Sequence, residues 1–175
     1  NEITSTAVSG SSSFSPAWLG IASSADGNKL LIIDGSTRMW RSTNAGSSWT
    51  EITVLGNDLV SVASSGDGTT IFRIDSDGSD WKLFRSIDSG SSWGEIASLP
   101  GAKTWTGIAS SSDGTKLFAT ENTEINNALS GNLWISENAG VTWTEIKSTG
   151  RANWVSVACS ADGLQIIAVG SETTD

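Results

Sequence analysis

The sequence predicts an all-β protein made of repeated four-stranded antiparallel units, about three and a half of them. Two recurring phrases, and the strand-like runs between them, predict it. The first phrase is Ile21-Ala22-Ser23-Ser24-Ala25-Asp26-Gly27. It returns as Val62-Ala63-Ser64-Ser65-Gly66-Asp67-Gly68, as Ile108-Ala109-Ser110-Ser111-Ser112-Asp113-Gly114, and as Val157-Ala158-Cys159-Ser160-Ala161-Asp162-Gly163. Its Asp residues lie 41, 46 and 49 residues apart. A period in the forties filled with short β-type runs marks a propeller blade.

The second phrase falls between copies of the first. Ser42-Thr43-Asn44-Ala45-Gly46-Ser47-Ser48-Trp49 is matched by Ser86-Ile87-Asp88-Ser89-Gly90-Ser91-Ser92-Trp93 and by Ser136-Glu137-Asn138-Ala139-Gly140-Val141-Thr142-Trp143. The pattern is Ser-x-Asp/Asn-x-Gly-x-Ser/Thr-Trp. An Asp or Asn side chain accepts backbone N–H bonds in a tight turn. Gly supplies positive φ, and Trp buries a large apolar area beside the turn. The motif resembles the Asp-box of sialidase-type (BNR) repeats. The resemblance implies propeller blades whose third and fourth strands are joined by this turn, and it covers nearly the whole chain. It places Ser42, Asn44, Gly46, Trp49, Ser86, Asp88, Gly90, Trp93, Ser136, Asn138, Gly140 and Trp143 in structural turns.

Each repeat supplies four strands in order. In the first they run from Trp18 to Ser23, Lys29 to Ile33, Arg38 to Ser42 and Trp49 to Thr53. The first strand is small-residue-rich, as crowding at a propeller axis requires. Asp-Gly then signals a hairpin. The second strand is a continuous apolar run, Leu30-Leu31-Ile32-Ile33 in the first repeat and Ile166-Ile167-Ala168-Val169 in the last, which predicts burial on both faces. The third carries an aromatic, Trp40, Phe84 or Trp134, and the fourth follows the Trp as Thr50-Glu51-Ile52, Gly94-Glu95-Ile96 or Thr144-Glu145-Ile146. The chain opens on Asn1-Glu2-Ile3-Thr4, which matches a fourth strand. The repeats therefore divide as 1–49, 50–93, 94–143 and an incomplete 144–175 within one domain. Ile3 to Val8 is expected to be a strand that pairs with the blade of Leu164 to Val169, or with that blade in another copy.

Composition narrows the function. Net charge is −9 with a pI near 4.3, which disfavours nucleic acid and anionic lipid as partners. No apolar stretch is long enough for a membrane-spanning helix. The one cysteine, Cys159, stands where other repeats have Ser and is expected to be a small packed residue. The chain has no His, which removes the Ser-His-Asp triad and imidazole metal ligation. It has no Tyr either, whereas the sialidase resemblance implies a Tyr nucleophile and three convergent Arg. Arg41 and Arg85 occupy the same repeat position, which points to structure. No catalytic residue is assigned and no sialidase activity is expected.

Two candidate binding features remain. Asp75, Asp77 and Asp80 surround Gly78 and supply the oxygen ligands that calcium would take, so calcium is the one cofactor weighed. The competing reading is a solvated hairpin tip. Trp81 is the one Trp of the nine outside the repeat pattern, which makes it the candidate exposed aromatic for a ligand such as a glycan. The expectation is a non-enzymatic, extracellular or cell-surface structural or interaction module. It would pair through sheet edges with other copies of itself, as a fibre or a ring, or with other proteins. The alternative is a piece of a larger Asp-box propeller glycoside hydrolase or carbohydrate-binding protein.

Overall fold

The computed structural model describes residues 18–34, 37–53, 58–78, 80–100, 104–122, 124–125, 128–129, 131–147 and 152–171. The segment 3–8 expected to form a strand lies outside them. Strands β1 (Gly20–Ser23), β2 (Leu30–Ile33), β3 (Arg38–Ser42) and β4 (Thr50–Thr53) form the first antiparallel sheet, in that spatial order. β5 (Asp58–Ser64), β6 (Ile71–Ser76), β7 (Trp81–Ser86) and β8 (Gly94–Ser98) repeat the arrangement. The third sheet starts with β9 (Thr104–Ser110) and β10 (Leu117–Asn122). A small hairpin, β11 (Glu124–Ile125) and β12 (Ala128–Leu129), follows, and β13 (Leu133–Ser136) and β14 (Thr144–Glu145) complete the sheet. β15 (Asn153–Cys159) and β16 (Ile166–Ser171) form a two-stranded sheet. Each four-stranded sheet is one continuous stretch of chain, so each of the first three blades carries its own fourth strand.

Register repeats with the sequence. Gly20 faces Ile33, Ser61 faces Ile74, Gly107 faces Thr120 and Ser156 faces Val169. In the last three blades the inner pair bulges one residue earlier, at Val60, Thr106 and Val155. A bulge at one repeated site bends and twists each inner strand alike.

The innermost strands stack on one another, β1 against β5, β5 against β9 and β9 against β15. Successive side chains of a strand point to opposite faces, so each blade presents one face to the blade before it and one to the blade after. The core is therefore divided into three clusters, one per blade junction. Leu31, Ile33 and Met39 of the first blade meet Leu59, Val62 and Ile71 of the second. Phe72, Ile74 and Leu83 meet Trp105, Ile108 and Leu117. Phe118 meets Val157, with Ile166 and Ala168 packed around them.

Phe72 has no exposed surface and fills the middle junction. Phe72→Ala is expected to cost about 3–5 kcal/mol in urea unfolding, through lost burial and the cavity left behind. A loss under about 1 kcal/mol, ordinary for surface changes, would contradict this assignment of the core.

Candidate functional site

The Trp-terminated turns are alike in all three copies. The Ser42 hydroxyl accepts the Gly46 N–H at 2.9 Å and donates to Asn44 Oδ1 at 3.0 Å. Asn44 Oδ1 also accepts the Ser48 N–H at 2.9 Å. Ser86, Asp88, Gly90 and Ser92 repeat this, with the Gly90 N–H 2.7 Å from Ser86 Oγ and the Ser92 N–H 2.8 Å from Asp88 Oδ1. So do Ser136, Asn138, Gly140 and Thr142. Two consecutive residues take positive φ at each turn: Ala45 and Gly46, Ser89 and Gly90, Ala139 and Gly140. The left-handed conformation at Ala45, Ser89 and Ala139 is one that non-Gly residues rarely adopt, and the buried Ser hydroxyl fastens it. Trp93 and Trp143 donate from Nε1 to the Gly90 and Gly140 carbonyls at 3.2 and 3.1 Å. Trp49 is half-buried at the matching place. The Ser92 hydroxyl, the Ser92 N–H and the Ser86 hydroxyl hold the Asp88 carboxyl down at about 2.

The Asp-Gly turns use the same chemistry between strands one and two. Ser24 Oγ donates to Asp26 Oδ1 at 2.6 Å, and the Asn28 N–H donates to the same oxygen at 3.0 Å. These bonds, led by the Ser24 hydroxyl, lower the Asp26 carboxyl to about 2. The Ser65 and Ser111 hydroxyls do the same for Asp67 and Asp113. Asp162 is lowered too, chiefly by Ser160.

These turns also join the blades. The Ala25 N–H donates to the Gly66 carbonyl at 2.7 Å, the Gly66 N–H to the Ser112 carbonyl at 2.8 Å, and the Ser112 N–H to the Ala161 carbonyl at 2.7 Å. One backbone bond thus passes from turn to turn through all four blades. Among the described residues it leaves the Ala161 N–H and the Ala25 carbonyl as the unpaired ends of this line. Side chains reinforce it. Lys29 Nζ donates to the Asp67 carbonyl at 3.0 Å, Lys116 Nζ to the Asp162 carbonyl at 3.4 Å, and Arg41 Nη1 to the Ser89 carbonyl at 3.1 Å.

The candidate calcium ligands separate in space. Asp75 is an inward residue of β6, 1% exposed, with Oδ2 3.2 Å from Arg73 Nη2. Asp77 and Asp80 sit in the exposed turn beyond it, where Asp77 Oδ1 accepts the Asp80 N–H at 2.7 Å. Among the described residues no group of three metal-ligating side chains converges. Trp81 does not stand free: it is half-buried and packs against the core of the middle junction.

Two features escaped the sequence reading. Asp34, Asp75 and Glu121 are equivalent, each following the apolar run of its second strand, and all three are buried. Each has its own partner: Arg38 for Asp34 at 3.1 Å, Arg73 for Asp75, and the Asn132 amide for Glu121 at 2.7 Å. The Arg73 guanidinium lies 4.6 Å from the Phe84 ring centre and 4.4 Å from that of Trp93, which supports a buried cation. An acid five residues into the second strand of each of the first three repeats, after residues 30–33, 71–74 and 117–120, was the available signal. The second feature is Trp18. The repeat pattern made it core, yet it is 40% exposed, whereas its equivalent Trp105 is 0% exposed.

Trp18 belongs to a larger pattern. Among the described residues, seven of the nine exposed large apolar side chains lie on the first and last blades: Trp18, Leu19 and Ile21, and Val155, Leu164, Ile167 and Val169. Ile21 is 69% exposed, and its equivalents Val62, Ile108 and Val157 are 7%, 5% and 9% exposed. Ile167 is 68% exposed, and its equivalents Leu31, Phe72 and Phe118 are 2%, 0% and 4%. Trp18, Leu19, Gly20, Ile21 and Ile32 line an open groove of about 370 Å³ on the first blade. The leading face of the first blade and the trailing face of the last are junction surfaces without a neighbour among the described residues.

No protein-family model matches this sequence, and no curated protein does. Solved structures do match. A structure of YCF48 bound to D1 peptide has 17% identity and a TM-score of 0.63 over 89% of this chain and 47% of its own. A chain of a nidogen/laminin complex has 18% identity and a TM-score of 0.67 over 87% of this chain and 56% of its own. The GH74 xyloglucanase of Xanthomonas campestris has 16% identity and a TM-score of 0.62 over 86% of this chain and 26% of its own. The fold is that of β-propeller blades. The chain spans about half the length of the first two matches and about a quarter of the third.

Ser86 is 1% exposed and its hydroxyl takes part in three bonds of its turn, so Ser86→Ala is expected to cost about 1–3 kcal/mol in chemical unfolding. No measurable loss would remove the hydroxyl from that role. A second expectation concerns pH. Burial pushes the Asp75 carboxyl up to about 6, against the pull of Arg73. Between the ordinary value of 3.8 and about 6, the folded chain holds a proton that the unfolded chain has released. Stability therefore falls as pH rises through that window. The thermal midpoint of the natural chain should gain on Asp75→Asn as pH drops from 7 to 4.5, and parallel curves for the two proteins would contradict this.

Proposed function

We propose that this chain is a non-catalytic interaction module, a run of Asp-box propeller blades that works by docking its end faces. The exposure of Ile21 and Ile167, at positions buried in every internal junction, carries this reading. Burying such side chains is worth about 1.5–3 kcal/mol each, and contiguous apolar patches on soluble proteins mark interaction sites. The described carboxylates support it as well. Those of the Asp-Gly turns and of Asp88 accept local hydroxyl and backbone donors, and Asp34 and Asp75 are each paired with an Arg. An extracellular setting, with glycan contact, is part of the same proposal and rests on the Asp-box resemblance.

A second reading makes the blades part of a larger propeller glycoside hydrolase. The likeness to the GH74 xyloglucanase favours it, since this chain spans 26% of that one. Hydrolysis of xyloglucan oligosaccharides by the chain would choose it over the first.

Sedimentation velocity tests the main proposal. The natural chain is expected to associate at micromolar concentration, and Ile21→Asp with Ile167→Asp is expected to sediment as an 18.2 kDa monomer. A natural chain that stays monomeric throughout would contradict it.

A further inference from the structure

We propose that the partner on each end face is a second copy of this chain, so that two copies close one propeller ring. This rests on the end-face reading above and adds the occupant and the register. The two faces fit each other because they are the two halves of a junction that the chain already makes three times. The trailing face of the last blade offers Ile167 and Val169, where the internal junctions use Phe72 and Ile74. The leading face of the first blade offers Ile21 and Trp18, where they use Ile108 and Trp105.

The turns give the register. Three bonds run from each x residue of the Ser-Ser-x-Asp-Gly turn to the next. The step that continues this line joins the Ala161 N–H of one copy to the Ala25 carbonyl of the other. Gly27 agrees. A Cβ on each of its equivalents would meet the preceding blade: at 2.9 Å from Lys29 and Ser24 for Gly68, at 2.8 Å from Lys116 for Gly163, and in ordinary contact at 3.5 Å from Thr70 for Gly114. At Gly27 nothing lies within 4 Å. In the proposed junction Gln165 of a second copy fills that space, at the position that Lys29, Thr70 and Lys116 hold inside the chain.

One chain does not bring its own faces together, since Ile21 and Ile167 are both exposed. The span of the blades sets the number: the part of YCF48 that aligns with 89% of this chain is 47% of that chain, so two such spans make up about one chain of that length. A head-to-tail contact closes when the rotations add up to a full turn.

The test is a disulfide across the junction. At Gly66, an added Cβ lies 3.1 Å from the Ser112 Cβ, a few tenths of an ångström short of the roughly 3.5–4.5 Å that a disulfide spans, so a small separation of the two turns brings the pair into range. Ala25→Cys and Ala161→Cys are introduced together, with Cys159→Ser, the residue other repeats hold there. On mild oxidation of the full chain, the expected product is a covalent dimer without free thiols, and neither single-cysteine variant cross-links. A monomer with an internal bridge would overturn the proposal, because the chain would close on itself. A ladder of higher multimers would overturn it in favour of a fibre. Free thiols on a chain that still associates would overturn this register and leave end-face docking standing. Free thiols on a monomer would overturn both.

Discussion

The contact of one blade face with the next is the interaction on which the rest of the structure depends. A four-stranded sheet with apolar residues on both faces cannot satisfy either face alone. Here each junction buries a strand-two side chain from one blade, such as Phe72, against a strand-one side chain from the next, such as Ile108. Small residues on the inner strands follow from this where the backbones come closest: an added Cβ on Gly107 would lie 2.8 Å from Thr120 Oγ1 and 3.3 Å from the Ser156 Cα. The buried Arg73 and Asp75 are tolerated at the first junction because the guanidinium rests on two aromatic rings and neutralises the carboxylate.

Serine chemistry holds the sheets in the shape this stacking needs. In both turn types a Ser hydroxyl donates to an Asp or Asn oxygen and receives a backbone N–H. Exchange of Asp for Asn at 44 and 138 changes nothing in this geometry, because only the acceptor Oδ1 is used toward the backbone. The Asp-Gly turns do a second job. Their backbone links neighbouring blades, so local turn geometry and blade spacing are set together.

Most of this was legible in the sequence. Periodic phrases gave the blade, its strand order and its turns, because those depend on residues close together in the chain. The repeats could not give the fate of an individual side chain. Trp18 and Trp105 carry the same periodic signal, and among the described residues only Trp105 has a preceding blade to pack on. Asp75, Asp77 and Asp80 looked like one acidic loop. Strand alternation sends Asp75 into the junction and leaves the others in the turn. Trp81 broke the repeat pattern and still packs inward, because it opens a strand whose neighbours form the largest core cluster.

The central claim is that the end faces are halves of a junction, complete only when docked. Amide hydrogen exchange at Ala161 tests it most directly. The amides of Ala25, Gly66 and Ser112 are bonded within the chain and should be protected at every concentration. The account predicts that the Ala161 amide is protected like them in concentrated solution and loses that protection on dilution. Exchange of Ala161 at the rate of an open turn, whatever the concentration, would contradict it.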